Sequence, residues 1–424
     1  MNIQKIVLTA SALGVTLCSG AAVQEKGGIK IGERITLHPY VSLSAIYDSN
    51  ADSAKHSRSS TSWCISPGVN GTYQYENWSV SAGVAYNYHA YNSYSKMDNS
   101  SGWNENLAIS WQNSAANEKG WSLMIGQHYA KILQDDGFSN DGRGVGRDRT
   151  EWGVDGAAER RLNQDLHAGV QGSMYYIDYD NDKNNYAPMY GWQRATVGAD
   201  AGFAPSPWTD FFLNGSYHWD LQDNHKDRED RIDPITKNRL PKRVNTVSRE
   251  SRGYSIMAGI ATRATEKIRY RVAGGWSHYE YGSVRKSNTF NYQISGMWAI
   301  NNTTKAMLLG SSYYQPSERE YGSVLKVYNA SLGVSKSLVK GAVSLSGDVA
   351  YRYETHEFSA YYADDYNTDI ITSRLSTSYK FNNWIGFFAS IEYQTQMTHG
   401  GTYVTGHGYN YNRWRGTVGV RFTY

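Results

Sequence analysis

From Arg34 onward the chain is a succession of segments, roughly 10–14 residues long, in which apolar and polar residues alternate. A period of two gives a strand one greasy face and one wet face. In Trp78–Tyr88, the residues Trp78, Val80, Ala82, Val84, Tyr86 and Tyr88 share a face, and Ser79, Ser81, Gly83, Ala85 and Asn87 share the other. The same order recurs in Trp63–Tyr73, Phe290–Ile300, Val343–Tyr353 and Ile385–Tyr393. Aromatic rings at the ends with small aliphatics between them suit a strand crossing a bilayer, with the rings at the two headgroup levels.

The connections alternate as well. Glu76–Asn77, Leu162–Asp165, Ala204–Pro207, Thr265–Lys267, Asn301–Thr303, Leu338–Gly341 and Asn382–Asn383 are short and rich in turn-forming residues, and Asn113–Gly120 is slightly longer. Between them lie long polar stretches: 48–60, 92–101, 134–148, 179–188, 221–250, 282–286, 315–321, 355–366 and 397–412. The expected fold is therefore all-β, a transmembrane antiparallel up-and-down β-barrel of about 18 strands with both termini periplasmic. The largest loop, Leu221–Glu250, should lie outside or fold into the mouth as a constriction. A soluble sandwich or propeller would alternate too, but needs neither aromatics at both strand ends nor a short–long loop rhythm.

Average composition points the other way and is overruled. Mean hydropathy is −0.61 and hydrophobic residues make up 40%, which reads as soluble. Yet 35 Tyr, 13 Trp and 41 Gly beside only 8 Pro suit half-wet strands and exclude a disordered chain. A net charge of +3 with no basic run excludes nucleic acid as a partner. At the N-terminus, Lys5, the apolar Ile6–Leu17 and the small Ser19–Ala22 read as a cleaved signal peptide over 1–22. The apolar run is too short for a membrane helix, and Leu17 is too bulky for lipid attachment at Cys18. Residues 23–33 should then be a short periplasmic segment and 34–424 the barrel, with Cys64 left single.

In the last strand Trp414, Gly416, Val418, Val420, Phe422 and Tyr424 share a face, and the chain stops on an aromatic. That ending resembles the strand by which the outer-membrane assembly machinery recognises its substrates. The expected location is the outer membrane of a Gram-negative-type bacterium, with membrane lipid, lipopolysaccharide and that machinery as partners.

A narrower resemblance lies in Pro39–Tyr91. Tyr47-Asp48-Ser49-Asn50 closes the first strand, a Ser/Thr-rich loop follows, and Ile65-Ser66-Pro67-Gly68 opens a Tyr-rich strand. Trp78-Ser79-Val80 then leads to Tyr86, Tyr88 and Tyr91. This order resembles the start of the putative β-barrel porin 2 family. The resemblance implies a single outer-membrane barrel, in some relatives beside exopolysaccharide systems, and it brings no catalytic residues with it.

With the aromatic face outside, the other face lines the lumen. It carries a candidate charge wall of Arg194, Arg269, Arg271, Arg352, Arg374, Arg413, Arg415 and Arg421, opposed by Glu151, Asp155 and Glu159. Asp200, Arg263, Asp348, Lys380 and Glu392 share that face, as do the rings of Tyr40, Tyr175, Phe212 and Phe388. Arg or Lys facing mid-bilayer lipid would cost about 2–4 kcal/mol each, so these groups must meet water or one another. The expected function is a channel for passive diffusion of small hydrophilic solutes, anions or saccharides among them. The alternative is an accessory of exopolysaccharide export or a non-conducting surface barrel.

No catalytic, cofactor or metal site is expected. Asp178-Tyr-Asp180-Asn-Asp182 has carboxylates at alternate positions, but Lys183 and Met189 stand where a calcium loop needs Gly and Glu. Gly142-Arg-Gly144-Val-Gly146 lacks the Lys-Ser/Thr of a phosphate cradle, and no His-Glu-x-x-His or Gly-x-Ser-x-Gly occurs. His128, His167 and His218 face inward without paired spacing.

Overall fold

The computed structural model of the protein describes residues 28–50, 59–92, 100–113, 119–132, 149–179, 191–222, 250–281, 285–316, 323–358, 366–400 and 410–424. Residues 1–22, read from the sequence as a signal peptide, the loop tips Asp180–Asp182 and Gly142–Gly146, and most of Leu221–Glu250 lie outside them. The first strands are β1 (Ile29–Ile31), β2 (Ile35–Asp48), β3 (Ser60–Tyr75), β4 (Trp78–Tyr91), β5 (Ser100–Gln112) and β6 (Gly120–Ile132). There follow β7 (Arg149–Arg161), β8 (Leu166–Tyr179), β9 (Trp192–Ser206), β10 (Thr209–Gln222), β11 (Glu250–Thr262), β12 (Ile268–Tyr281) and β13 (Arg285–Ala299). The last are β14 (Thr304–Pro316), β15 (Ser323–Leu338), β16 (Val343–Phe358), β17 (Tyr366–Lys380), β18 (Ile385–His399) and β19 (Tyr411–Thr423).

From β2 to β19 every strand pairs antiparallel with its neighbours in sequence, and β19 pairs with β2, so 18 strands close into a barrel. β1 is an addition within the segment before residue 34. It pairs with Ile35–Leu37 of β2, just beyond the point where β19 runs out at Tyr40. The edge that the chain's end would leave bare is thereby covered.

Local chemistry sets the short turns. Asn163 Oδ1 accepts from the N–H of Asp165 (2.8 Å) and Leu166 (2.7 Å). Asn301 does the same for Thr303 (2.9 Å) and Thr304 (2.8 Å), and Asn382 for Trp384 (2.7 Å) and Ile385 (2.8 Å). Thr265 repeats the device with its hydroxyl. A short polar side chain folded onto the backbone two and three residues ahead is what favours Asn and Thr at a turn's first position.

The barrel strands run 13–16 residues, longer than the 9–11 that cross a bilayer. The ladder therefore continues past the greasy band into stretches expected as loops. β16 reaches Phe358 and β17 begins at Tyr366, inside 355–366, because backbone pairing is indifferent to side-chain polarity.

Burial is inverted relative to a water-soluble protein. Val197 (60% exposed), Val418 (59%), Trp63 (58%) and Leu375 (57%) stand outside, while Ser42, Ser44, Ser66, Asp220 and Glu354 are buried inside. Such a surface is stable against acyl chains and not against water. Val418→Arg is accordingly expected to cost about 2–4 kcal/mol of stability in lipid vesicles, read from denaturant unfolding. Less than about 0.5 kcal/mol would place that face in water.

Candidate functional site

All eight arginines of the candidate wall occupy inward positions, and the structure gives most of them a counter-charge or a ring. Arg194 on β9 donates to both carboxylate oxygens of Asp220 on β10 (Nε 2.6 Å, Nη2 2.9 Å). Arg352 Nε donates to Glu354 at 2.5 Å on the same strand, two residues on. Arg374 pairs with Glu392 across β17 and β18 through Nε at 2.8 Å. Arg413 and Arg415 share Asp48. Arg271 lies 3.7 Å over the ring of Phe212, and Arg421 lies 3.9 Å over Tyr40. Arg269, at the turn end of β12, is exposed. On β7, Glu151 is buried against Arg149 at 2.7 Å. Asp155 is half-buried, and Glu159 belongs to a cluster with His167 and Asp200. The wall is thus a set of ion pairs more than a band of one sign.

Between the charges run hydroxyl ladders. Ser216 meets Ser255 (2.8 Å), Ser344 meets Ser378 (2.6 Å) and Ser346 meets Ser376 (2.7 Å). Inner rings are seated on glycines of the next strand in direct register. Tyr40 faces Gly68, His128 Gly153, His167 Gly202, Phe212 Gly259, His218 Gly253 and Phe388 Gly419. A Cβ at any of these glycines would come within 2.7 Å of the ring it faces, so the rings can lie flat against the wall only because no side chain stands there. The Ser66-Pro67-Gly68 sequence gains its physical meaning here. Gly68 seats Tyr40, and pairing with β4 skips Ser66 and Pro67, where proline has no N–H to give.

Tyr47-Asp48-Ser49-Asn50 closes the barrel. Asp48 receives Arg413 Nε (2.9 Å to each oxygen) and Arg415 Nε (3.4 Å). Ser49 Oγ accepts from Trp414 N at 2.7 Å and Ser49 N donates to Trp414 O at 2.9 Å. Asn50 Nδ2 donates to Asn412 O at 3.3 Å. Three successive residues grip β19, which lies more than 360 residues on.

At the long-loop end of the barrel, one corner departs from regular pairing. β13 and β14 pair only as far as Gln293 with Ser311; beyond that, β13 follows β12 and β14 follows β15. In this freed corner burial no longer alternates: Tyr314, Gln315 and Pro316 are all buried, as are Val324 and Leu325. The Tyr314 carbonyl accepts from Arg194 Nη2 at 2.9 Å. Arg194 is on β9, five strands away along a wall spaced about 4.8 Å per strand, so roughly 24 Å of circumference separates them. Only a corner leaning across the lumen can make that contact. Tyr314 also stacks on Tyr279 (5.2 Å) and meets Ser287 (2.8 Å), while Tyr279 donates to Asp220 at 2.7 Å. Beside it, Ile177, Tyr179 and Trp192 form a second buried inner cluster.

Strand parity alone could have named Tyr279, which shares the face of Arg269 and Arg271; Asp48 and Asp220 sit where strands run into long loops. The lean of β14 has no periodic signal.

Set against known families, residues 193–424, more than half of the chain, match the family described as Putative beta-barrel porin 2. The chain belongs to that family. The matched stretch is not the one that carried the resemblance: Pro39–Tyr91 lies outside it, and residues 37–149 match a family described as Putative MetA-pathway of phenol degradation. No curated protein matches this family member. Among solved structures it is similar to the FrpB iron transporter from Neisseria meningitidis, at 8% identity and TM-score 0.44 over 93% of this chain and 82% of that one. It is also similar to the ferric enterobactin receptor from Pseudomonas aeruginosa, at 8% identity and TM-score 0.40 over 95% and 82%. At those values the likeness says nothing of what this barrel carries. Family and fold together make it an outer-membrane, porin-like β-barrel.

Proposed function

We propose that this barrel is a channel for passive diffusion of small hydrophilic solutes across a bacterial outer membrane, both termini lying on the periplasmic side. The observation that carries the reading is the two-faced wall: apolar side chains stand exposed outside, while serines and ion pairs line the inside. An interior of that kind needs water, and water in a closed barrel is a path for solutes. Membrane lipid and lipopolysaccharide surround it in this proposal, the assembly machinery inserts it, and no catalytic step is involved. Because Arg194, Arg352, Arg374 and Arg413 each face a carboxylate, the channel should discriminate weakly between anions and cations. The buried corner at Tyr314 favours the second reading, a non-conducting barrel or export accessory, to the extent that it obstructs the lumen.

Planar-bilayer recording of the purified protein separates these. Discrete conductance steps with a permeability ratio near unity are expected. A silent membrane would overturn the channel, and strong preference for either sign would overturn the paired wall.

A further inference from the structure

At the turn end of the inner wall, β7 to β10 bring four side chains together: Glu159, His167, Asp200 and Asp210. His167, on β8, is 4% exposed and lies flat in the space left by Gly202, where a Cβ would stand 2.1 Å from its Nε2. Nε2 is 2.9 Å from Asp210 Oδ1, so Nε2–H donates to that carboxylate. In the neutral ring the other nitrogen, Nδ1, then holds a lone pair. Nδ1 has no hydrogen-bond partner, although it is buried. It points between Glu159 Oε1 and Asp200 Oδ2, at 3.9 Å from each. One donor atom each from Glu159, His167 and Asp200 falls within 4.8 Å of the others.

We propose that Glu159, His167 and Asp200 bind a divalent first-row transition cation, with Asp210 as the carboxylate that orients the histidine. A histidine bonded through one nitrogen to a carboxylate and offering the other is the arrangement that fixes tautomer and raises basicity in metal-bound imidazoles. Donors 3.9 Å apart leave an ion roughly 2.2–2.5 Å from each, and a contraction of a few tenths of an ångström reaches zinc distances. One nitrogen beside two carboxylates favours zinc and its neighbours over calcium or magnesium, which want oxygen alone. Register explains how the site is built. Glu159 and Asp200 both face Gly169, one on each side, so their carboxylates converge over a residue without a side chain. His167 sits two residues back on β8, on the same inward face. Arg161 and Arg271 border the cluster; Arg161 Nη1 is turned to the carbonyl of Gln164, and Arg271 lies over Phe212. Three protein donors leave a coordination position open to the lumen, so the ion would stay exchangeable. The site stands independently of whether the barrel conducts.

The test is equilibrium dialysis of the refolded, chelator-stripped protein in detergent against zinc chloride, with folding checked by gel shift on heating. One zinc per chain is expected. His167→Gln should remove it, and Asp210→Asn should weaken it about 10–100-fold. Asp200→Asn, a smaller change for the fold, should weaken it at least about tenfold. His218→Gln, an inward histidine elsewhere on the wall, should bind as the parent does. No saturable zinc on the folded parent would overturn the site, as would zinc binding that survives His167→Gln and Asp200→Asn unchanged.

Discussion

Asp48→Ala is expected to destabilise the barrel by about 3–5 kcal/mol, the cost of leaving a buried charge without its partner. Arg413 is 3% exposed, and Asp48 supplies the carboxylate that both its Nε and its Nη2 address, with Arg415 Nε a third donor. Asn50 N also donates to Asp48 Oδ1 at 3.0 Å, so the substitution loosens the end of β2 as well. This pair lies on the seam where the first barrel strand meets the last, and among the described strands no other seam joins residues so far apart in the chain. Loss should therefore appear in closure more than in strand formation: slower refolding into vesicles and a lower denaturant midpoint. The double variant Asp48→Ala/Arg413→Met removes both charges and should recover most of the loss. A single-variant cost within about 1 kcal/mol would show the seam to be held by backbone pairing alone.

Much of this fold was legible because a barrel writes its two faces into alternate residues. Trp414, Val418 and Phe422 on one parity and Arg413, Arg415 and Arg421 on the other separated outside from inside without any structure. Side of the wall is a local property. Partner is not. Arg413 finds Asp48 only after the barrel closes, and Arg194 finds Asp220 only because β9 and β10 are in register. For that reason a row of arginines reads as a cationic wall in sequence and as ion pairs in space. His128, His167 and His218 lacked any motif spacing, and their seats are glycines one strand away, fixed by pairing and invisible to a linear reading. Asp210 carries no linear signal beside Trp208 and Thr209 at the short turn; a pairing irregularity between Thr209 and Phe211 marks its position on β10.

Conductance should rise by about twofold or more in the double variant Arg194→Met/Asp220→Asn, because this pair holds the leaning corner across the lumen. The Arg194 bond to the Tyr314 carbonyl is charge-assisted and partly buried, a class contributing about 1.5–3 kcal/mol. Against it, the Tyr279–Tyr314 stack contributes about 0.5–1.5 kcal/mol. The arginine is thus the larger of the two ties, and its loss should let the β14–β15 corner move toward the wall. Both charges are changed together because Arg194→Met alone would strand Asp220, which is fully buried beside Tyr279 and Ser251. Tyr279→Phe provides the contrast. It removes the hydroxyl bonded to Asp220 and keeps the ring under Tyr314, so single-channel conductance should stay near the parent value. If the double variant folds and conducts as the parent does, the corner does not set the bore, and the narrowest point must lie elsewhere along the wall. If instead the parent is silent, the passive channel falls, and a double variant that conducts would show the corner to be what closes the lumen.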